Sequence, residues 1–340
     1  MGRKEEALQE FQRALELARV PAATDSSNAI QALTSLGRFG EAKRTLDQWQ
    51  QQRGSLTSSQ MGQRYRIAFF ENDTATMERI AREAPTDKFW LVLQQQLAFL
   101  RGDSGNLRSL AETLVKQQRR AGRMENAADE LAWHAQLESY LGNYALARKL
   151  CRQAGEASKD SYLALLYCAK ALAEAGDVTQ AEALAAKLDR LRPEDTVNQR
   201  LDLPLIRSII DRQRGDFVKA LDLLAPVTQY EQGESQVLYH RAQAHLAAGQ
   251  YAKATIEFQR LIGNRGWIEW PVFAPLAQLG LARAYFMQGN SESSRKAYDD
   301  FFTIWKNADP NTPILRQAKA EYGKLAANSS VVALVSRTAQ

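Results

Sequence analysis

Three histidines and two cysteines are the scarce side chains in this 340-residue chain that could serve nucleophilic, acid–base or metal chemistry, and their spacing argues against each use; the 39 Asp and Glu are abundant but carry no specificity. The three histidines are His134, His240 and His245. The last two are five residues apart, about 140° round a helix, whereas two ligands on one helix face need an i,i+4 spacing. Cys151 and Cys168 stand at helical apolar positions with no C-x-x-C spacing, which reads as two buried thiols rather than a disulfide or metal pair. The one His-Arg step, His240-Arg241-Ala242, lacks the Asp that serves as base in phosphoryl transfer, and neither a Gly-rich loop with a downstream V-A-I-K nor a D-F-G occurs. G-x-x-x-x-G-K-[ST], G-x-S-x-G and H-E-x-x-H are likewise absent. The reading is a chain that is not an enzyme, with no metal and no cofactor.

What the sequence does hold is a repeated positioning unit. Leu246–Phe258 reads L-A-A-G-Q-Y-A-K-A-T-I-E-F: a helix end, a Gly-led turn, an aromatic, then Ala254 and Phe258 four apart on a new helix. Gly249 can close the first helix in the left-handed conformation, and Ala254 lets the second helix lie close against it. The anchors are Gly2, Gly37, Asn72, Gly102, Gly142, Gly176, Gly215, Gly249 and Gly289, with steps of 35, 35, 30, 40, 34, 39, 34 and 40 residues. Five residues after each stand Ala7, Ala42, Met77, Leu107, Ala147, Ala181, Ala220, Ala254 and Ser294. Nine after, Phe11, Leu46, Cys151, Leu224, Phe258 and Tyr298 fill the space, and Ala81, Ala111 and Ala185 fill it less.

A period near 34 with A-x3-F after a G-x-aromatic turn resembles the tetratricopeptide repeat (TPR), and the resemblance covers nearly the whole chain. It implies an all-α fold: a right-handed superhelix, or α-solenoid, of about nine TPR-type helix pairs with a C-terminal capping helix. The first helix of each pair lines the concave face. Carried over position by position, the pattern puts Gln136, Tyr140, Lys170, Glu174, Arg212, Tyr239, Gln243, Arg283 and Phe286 in a peptide-binding groove, with Ser139, Leu166 and Gln213 beside them. Tyr and Arg in such a face suit anchoring of an extended or helical peptide.

Helix pairs flank each anchor along the chain, and the repeat array spans 1–327, with 328–340 as a flexible tail. The first helix, about 3–20, is the second half of a repeat without its partner, which suggests that the chain is the C-terminal part of something longer; the alternative is a solitary capping helix. Pro204 requires a kink or a helix starting there, with proline in its first turn. The 40-residue step after Gly249 reflects an insertion, 263–271, whose Trp267 and Trp270 either plug a widened repeat junction or form a second contact site. The final helix starts at Thr312-Pro313 and runs to about 326.

Lys116–Arg120 and Arg123 form a basic cluster with two readings: a contact for acidic partners or phosphates, or, in preference, cations at a helix C-terminus that complement the macrodipole without a ligand. The net charge of +5 is interspersed with acidic residues, a solvated surface rather than a nucleic-acid footprint. No apolar run approaches the roughly 18 residues that span a bilayer. The expectation is a soluble chain without direct membrane contact, cytoplasmic, or extracytoplasmic if a spanning segment lies upstream.

Arg192–Asp216, Tyr239–Gly266 and Leu279–Leu325, the last with L-G-L-A-R-A-Y and D-P-N-T-P-I-L-R-Q-A-K-A-E-Y-G-K-L, are similar to a particular bacterial region. It is the C-terminal TPR region of some eukaryotic-like serine/threonine protein kinases and of related winged-helix regulators. Arg200, Leu201 and Asp202 stand where that family tends to carry aromatics. The resemblance implies a sensory or docking module tethered to an upstream kinase or DNA-binding domain. The alternatives are a free-standing adaptor and an α/α-toroid hydrolase; longer units and the lack of a central acid pair count against the hydrolase.

Overall fold

The computed structural model describes residues 4–17, 23–71, 73–83, 88–264 and 273–338. Among them the chain is all helical, without strands. A single helix, α1 (Lys4–Leu17), precedes eight antiparallel pairs. These are α2 (Ala23–Ser35) with α3 (Phe39–Arg53), α4 (Ser58–Glu71) with α5 (Thr74–Glu83), α6 (Lys88–Leu100) with α7 (Ser104–Arg120), and α8 (Met124–Tyr140) with α9 (Tyr144–Ala157). The series continues with α10 (Tyr162–Glu174) and α11 (Val178–Leu191), α12 (Leu203–Arg214) and α13 (Phe217–Leu224), α14 (Ser235–Ala247) and α15 (Tyr251–Gly263), and α16 (Phe273–Met287) and α17 (Ser291–Ile304). The last helix, α18, runs Pro313–Thr338, so helix continues through most of the stretch anticipated as a tail.

The turns follow from the anchors. Gly37, Gly102, Gly142, Gly176, Gly215, Gly249 and Gly289 all have φ between 69° and 87°, a region that a side chain would strain. At Gly142 the glycine N–H bonds the Ser139 carbonyl at 3.1 Å and the Asn143 N–H bonds the Glu138 carbonyl at 2.9 Å, closing α8 with a Schellman pair. Five residues on, Ala42, Leu107, Ala147, Ala181, Ala220, Ala254 and Ser294 are all fully buried. The Asn72 unit departs from the pattern: Ile80 is buried and Ala81 exposed, so its second helix is turned by one residue.

The junction at Ala254 is full. Phe258 is fully buried, and a Cβ on Gly280 would come within 2.3 Å of its ring, so α16 can pass only as glycine. Ala254→Phe is expected to cost about 3 kcal/mol, near the top of the overpacking range. An unchanged denaturant midpoint in that variant would refute this packing.

Pro204 lies in the first turn of α12, preceded by a π turn over Asn198–Asp202. Proline has no N–H to give the carbonyl four residues back, and the wider turn absorbs the missing bond. The backbone stays helical through Asp202 and Leu203, so the segment is one helix with a local widening rather than two with a kink. The 263–271 insertion, with Trp267 and Trp270, lies outside the described residues apart from its first two positions.

First helices pack on first helices along the inside: α2 on α4, α4 on α6, then α8, α10, α12, α14 and α16 in series. The array does not stay open. One apolar cluster joins Phe99, Leu107, Leu137 and Leu141 directly to Leu238, Leu276, Phe301 and Trp305. A second cluster, spanning α7 to α12, forms the sector that lies between them in sequence. The closure has a polar clasp. Trp305 Nε1 donates to the Leu100 carbonyl at 3.0 Å, and the Ser104 hydroxyl donates to Asp309 Oδ2 at 2.6 Å. The Asp309 N–H meets the Gly102 carbonyl at 2.9 Å, and the Ile314 N–H meets the Leu141 carbonyl at 3.2 Å. The solenoid between α6 and α18 is thus one tight turn fastened to itself.

Candidate functional site

Closure brings the concave faces of opposite repeats together, and four rings fill the axis. Tyr140 of α8, Tyr239 and His240 of α14 and Phe273 of α16 are all buried. Tyr239 and Phe273 have ring centroids 4.9 Å apart, and Tyr140 stands edge-on to Tyr239 at 6.0 Å and to Phe273 at 5.5 Å. Edge-to-face pairs of this kind add to the area they bury.

A polar chain runs through the plug. Gln136 Nε2 donates to the Tyr140 hydroxyl at 3.0 Å, which lies 3.3 Å from His240 Nε2. His240 Nδ1 faces Glu174 Oε1 at 3.4 Å, and Arg212 Nη2 donates to both Glu174 oxygens at 2.9 and 2.8 Å. Gln243 Nε2 bonds the Tyr239 hydroxyl at 3.0 Å. With Tyr140 as donor to Nε2, His240 is the neutral Nδ1–H tautomer.

Burial, with Arg212 and Lys170 nearby, holds His240 well below its ordinary pKa. The unfolded chain takes up a proton near pH 6.5 that the folded chain refuses, so stability is full above that value and falls as pH drops below it. His240 contributes a loss of about 1.4 kcal/mol per pH unit there until the folded state protonates. Half-buried His245, also lowered by burial, adds in the same direction. Denaturant titrations between about pH 6.5 and 5.5 should show this slope, flattened in His240→Gln; an equal slope in the variant would refute the assignment.

The plug separates two chambers. The larger, about 440 Å³, is lined from α6, α8, α10, the π turn, α14 and the start of α16. Val92, Leu163, Leu166 and Leu201 supply its apolar wall, with the Trp133 and Tyr167 rings in tilted contact at 5.3 Å. The second, about 390 Å³ and mostly polar, is lined by Tyr144, Glu174, Arg212, Gln213, Gln243, Arg283 and the start of α18, among others.

The residues singled out from sequence divide between them. Gln136 and Lys170 line the larger chamber, Tyr140 lines both, and Glu174, Arg212, Tyr239, Gln243 and Arg283 line the second. Phe286 is exposed and lines neither. Several of them are tied down rather than presented. Lys170 is 1% exposed, with Nζ 2.9 Å from Gln236 Oε1 and 3.7 Å from Asp202 Oδ1. Arg283 donates from Nε to Glu321 at 2.9 Å.

Gln96, Asp129, Trp133, Leu163 and Tyr167 escaped the sequence reading. Gln96 stands six before Gly102, the same offset as Gln136 and Lys170 before their glycines, so the rule already in hand reaches it. Trp133 and Tyr167 stand nine before theirs, Asp129 and Leu163 thirteen. Offsets of six, nine, ten and thirteen describe one helix face, continued one turn towards the N-terminus.

A helix-pair solenoid with a lined concave face is the class these features define. Residues 134–196 and 209–267, which include most of the plug, match the family model for the tetratricopeptide repeat. No curated protein matches the chain. Solved structures similar to it include a tetratricopeptide repeat protein from Parabacteroides merdae ATCC 43184, at 12% identity and TM-score 0.43, covering 77% of this chain and 96% of that one. Yeast Tom70 is 12% identical with TM-score 0.37, covering 96% and 93%. The TPR domain of P58(IPK) is 11% identical with TM-score 0.31, covering 96% and 95%. TPR arrays are protein-interaction modules whose concave surfaces take partners. Among the described residues no group of His, Cys, Asp and Glu gathers as a metal site, and no helix is long and apolar enough to cross a membrane.

Proposed function

We propose that this chain is a protein- or peptide-docking module whose partner segment enters the larger chamber of the closed concave face. The observation that carries this is the chamber's wall. It combines apolar and aromatic side chains with two deeply buried amides that have polar atoms without a partner among the described residues: Gln96 at both Oε1 and Nε2, and Gln136 at Oε1. Buried amides left unpaired are costly, and a ligand that pairs them recovers that cost.

The test uses space rather than charge. Leu163 is 42% exposed and lines the chamber, so Leu163→Trp fills it without disturbing the core. Peptides selected by phage display on the full chain should bind Leu163→Trp at least about tenfold more weakly, a change of about 1.4 kcal/mol, with the melting temperature retained. Equal binding would place the docking site elsewhere.

The likeness of 192–325 to the repeat region of bacterial serine/threonine kinases supports a signalling setting, with a kinase or winged-helix domain upstream as tether. A free-standing adaptor fits the same architecture. Reading the coding sequence upstream of Met1 decides between them: an in-frame catalytic or DNA-binding domain favours the first, a nearby stop codon the second.

A further inference from the structure

The larger chamber is chemically one-sided. Its lining holds four carboxylates, Asp129, Glu130, Asp202 and Glu234, against two ammonium groups, Lys88 and Lys170. Both ammonium groups are already engaged. Lys88 Nζ is 2.7 Å from Glu130 Oε1, and Lys170 is held by Gln236 and Asp202.

Asp129 makes no ion pair among the described residues; its carboxylate accepts from the Ser161 hydroxyl. Burial pushes its pKa up, so its charged form is under-compensated where it stands. Asp129 and Trp133 are four apart on α8 and share a face, and the Tyr167 ring leans on Trp133 at 59°. Aromatic faces carry negative potential and attract a cation placed over them. The unpartnered amide atoms of Gln96, 1% exposed, and Gln136, 3% exposed, are two acceptors to one donor.

The balance favours a cation: more acceptors than donors, π faces, and a carboxylate with no ion pair among the described residues around an apolar shaft. An anionic ligand would meet the carboxylates, and a purely apolar one would leave the amides unpaired. We propose that the larger chamber is a pocket for a basic side chain, an arginine or lysine of the partner segment, with its aliphatic stem along Val92 and Leu166 and its charged head beside Trp133, Tyr167 and Asp129. This rests on the docking reading above and names the chemistry of what docks.

The experiment is a cellulose-bound array of random dodecapeptides probed with the full chain, followed by fluorescence anisotropy of labelled hits. Hits should be enriched in Arg or Lys. Replacing that one residue in the peptide by norleucine should weaken binding about tenfold or more, the scale of a charge-assisted contact. Asp129→Asn, which keeps an acceptor for Ser161, should weaken the basic peptide by a similar factor and leave its norleucine version unchanged. Gln96→Leu, which removes the unpartnered amide and so spares the fold, should do the same to a lesser degree. Hits without basic enrichment, or equal affinity for the norleucine peptides, overturn the cation pocket while leaving a docking surface. An array without hits overturns both.

Discussion

Trp305→Ala is expected to lower the unfolding free energy by about 3–5 kcal/mol and to open the superhelix. The indole is 3% exposed, packs at a tilt against Phe301 at 4.9 Å, and makes its hydrogen bond to a carbonyl 205 residues earlier in the chain. It also presses on the turn at Gly102. A Cβ there would lie 2.8 Å from the Trp305 ring and 2.5 Å from Ala308, so the two turns meet at backbone distance. Truncating the ring removes the apolar half of the clasp and leaves the Leu100 carbonyl short of its donor.

The measurement must separate loss of closure from loss of core. Leu188→Ala, fully buried in the cluster that spans α7 to α12, should destabilise comparably without touching the clasp. Small-angle X-ray scattering of both variants under folded conditions should show a larger radius of gyration for Trp305→Ala alone. If both keep the compact radius, the clasp does not hold the ring shut.

Glu174→Ala is expected to cost about 3 kcal/mol, because it strands a guanidinium in the plug. Arg212 and Glu174 side chains are each 15% exposed, and both Glu174 oxygens accept from Arg212 Nη2. Arg212 Nε has no hydrogen-bond partner among the described residues, so the buried guanidinium leans on the Nη2 contacts to that carboxylate. Replacing both ends, Glu174→Leu with Arg212→Met, should recover most of the loss, since apolar pairs of similar volume replace buried ion pairs at little cost. Denaturant midpoints of the two single variants and the double variant give the coupling directly; additive losses would mean that the pair does not act as a unit.

The repeat itself was legible because its signals are local. A glycine forced to positive φ and a small residue five positions later determine a turn and a junction without reference to the rest of the chain. That is why the helix ends fall within a few residues of their expected places. Pro204 was legible as a disturbance but not as a π turn, since proline's missing N–H fixes the problem and the neighbouring backbone chooses the remedy. Ala81 was misplaced because Ile80, next to it, buries more apolar surface and turns the helix to do so.

The closure left no comparable trace. Trp305, Asp309 and Ser104 are ordinary residues whose partners are decided by how far the superhelix curls. This curl also explains the site. The residue types on the concave face could be named from the repeat, but in an open groove Tyr140, Tyr239 and Lys170 would face solvent. Once opposite repeats meet, they become wall, and the accessible surface shifts one helical turn towards Asp129 and Leu163.

The clasp also has an order in time. Its halves are 205 residues apart, and a chain made from its N-terminus completes α6 to α13 long before Trp305 exists. During synthesis those repeats form an open gutter, with the walls of the future chambers exposed along its floor. Closing it is a single late event, whose loop entropy grows only with the logarithm of the span. A segment already lying in the gutter at that moment would be enclosed rather than admitted, so the growing chain presents a wider mouth than the finished one.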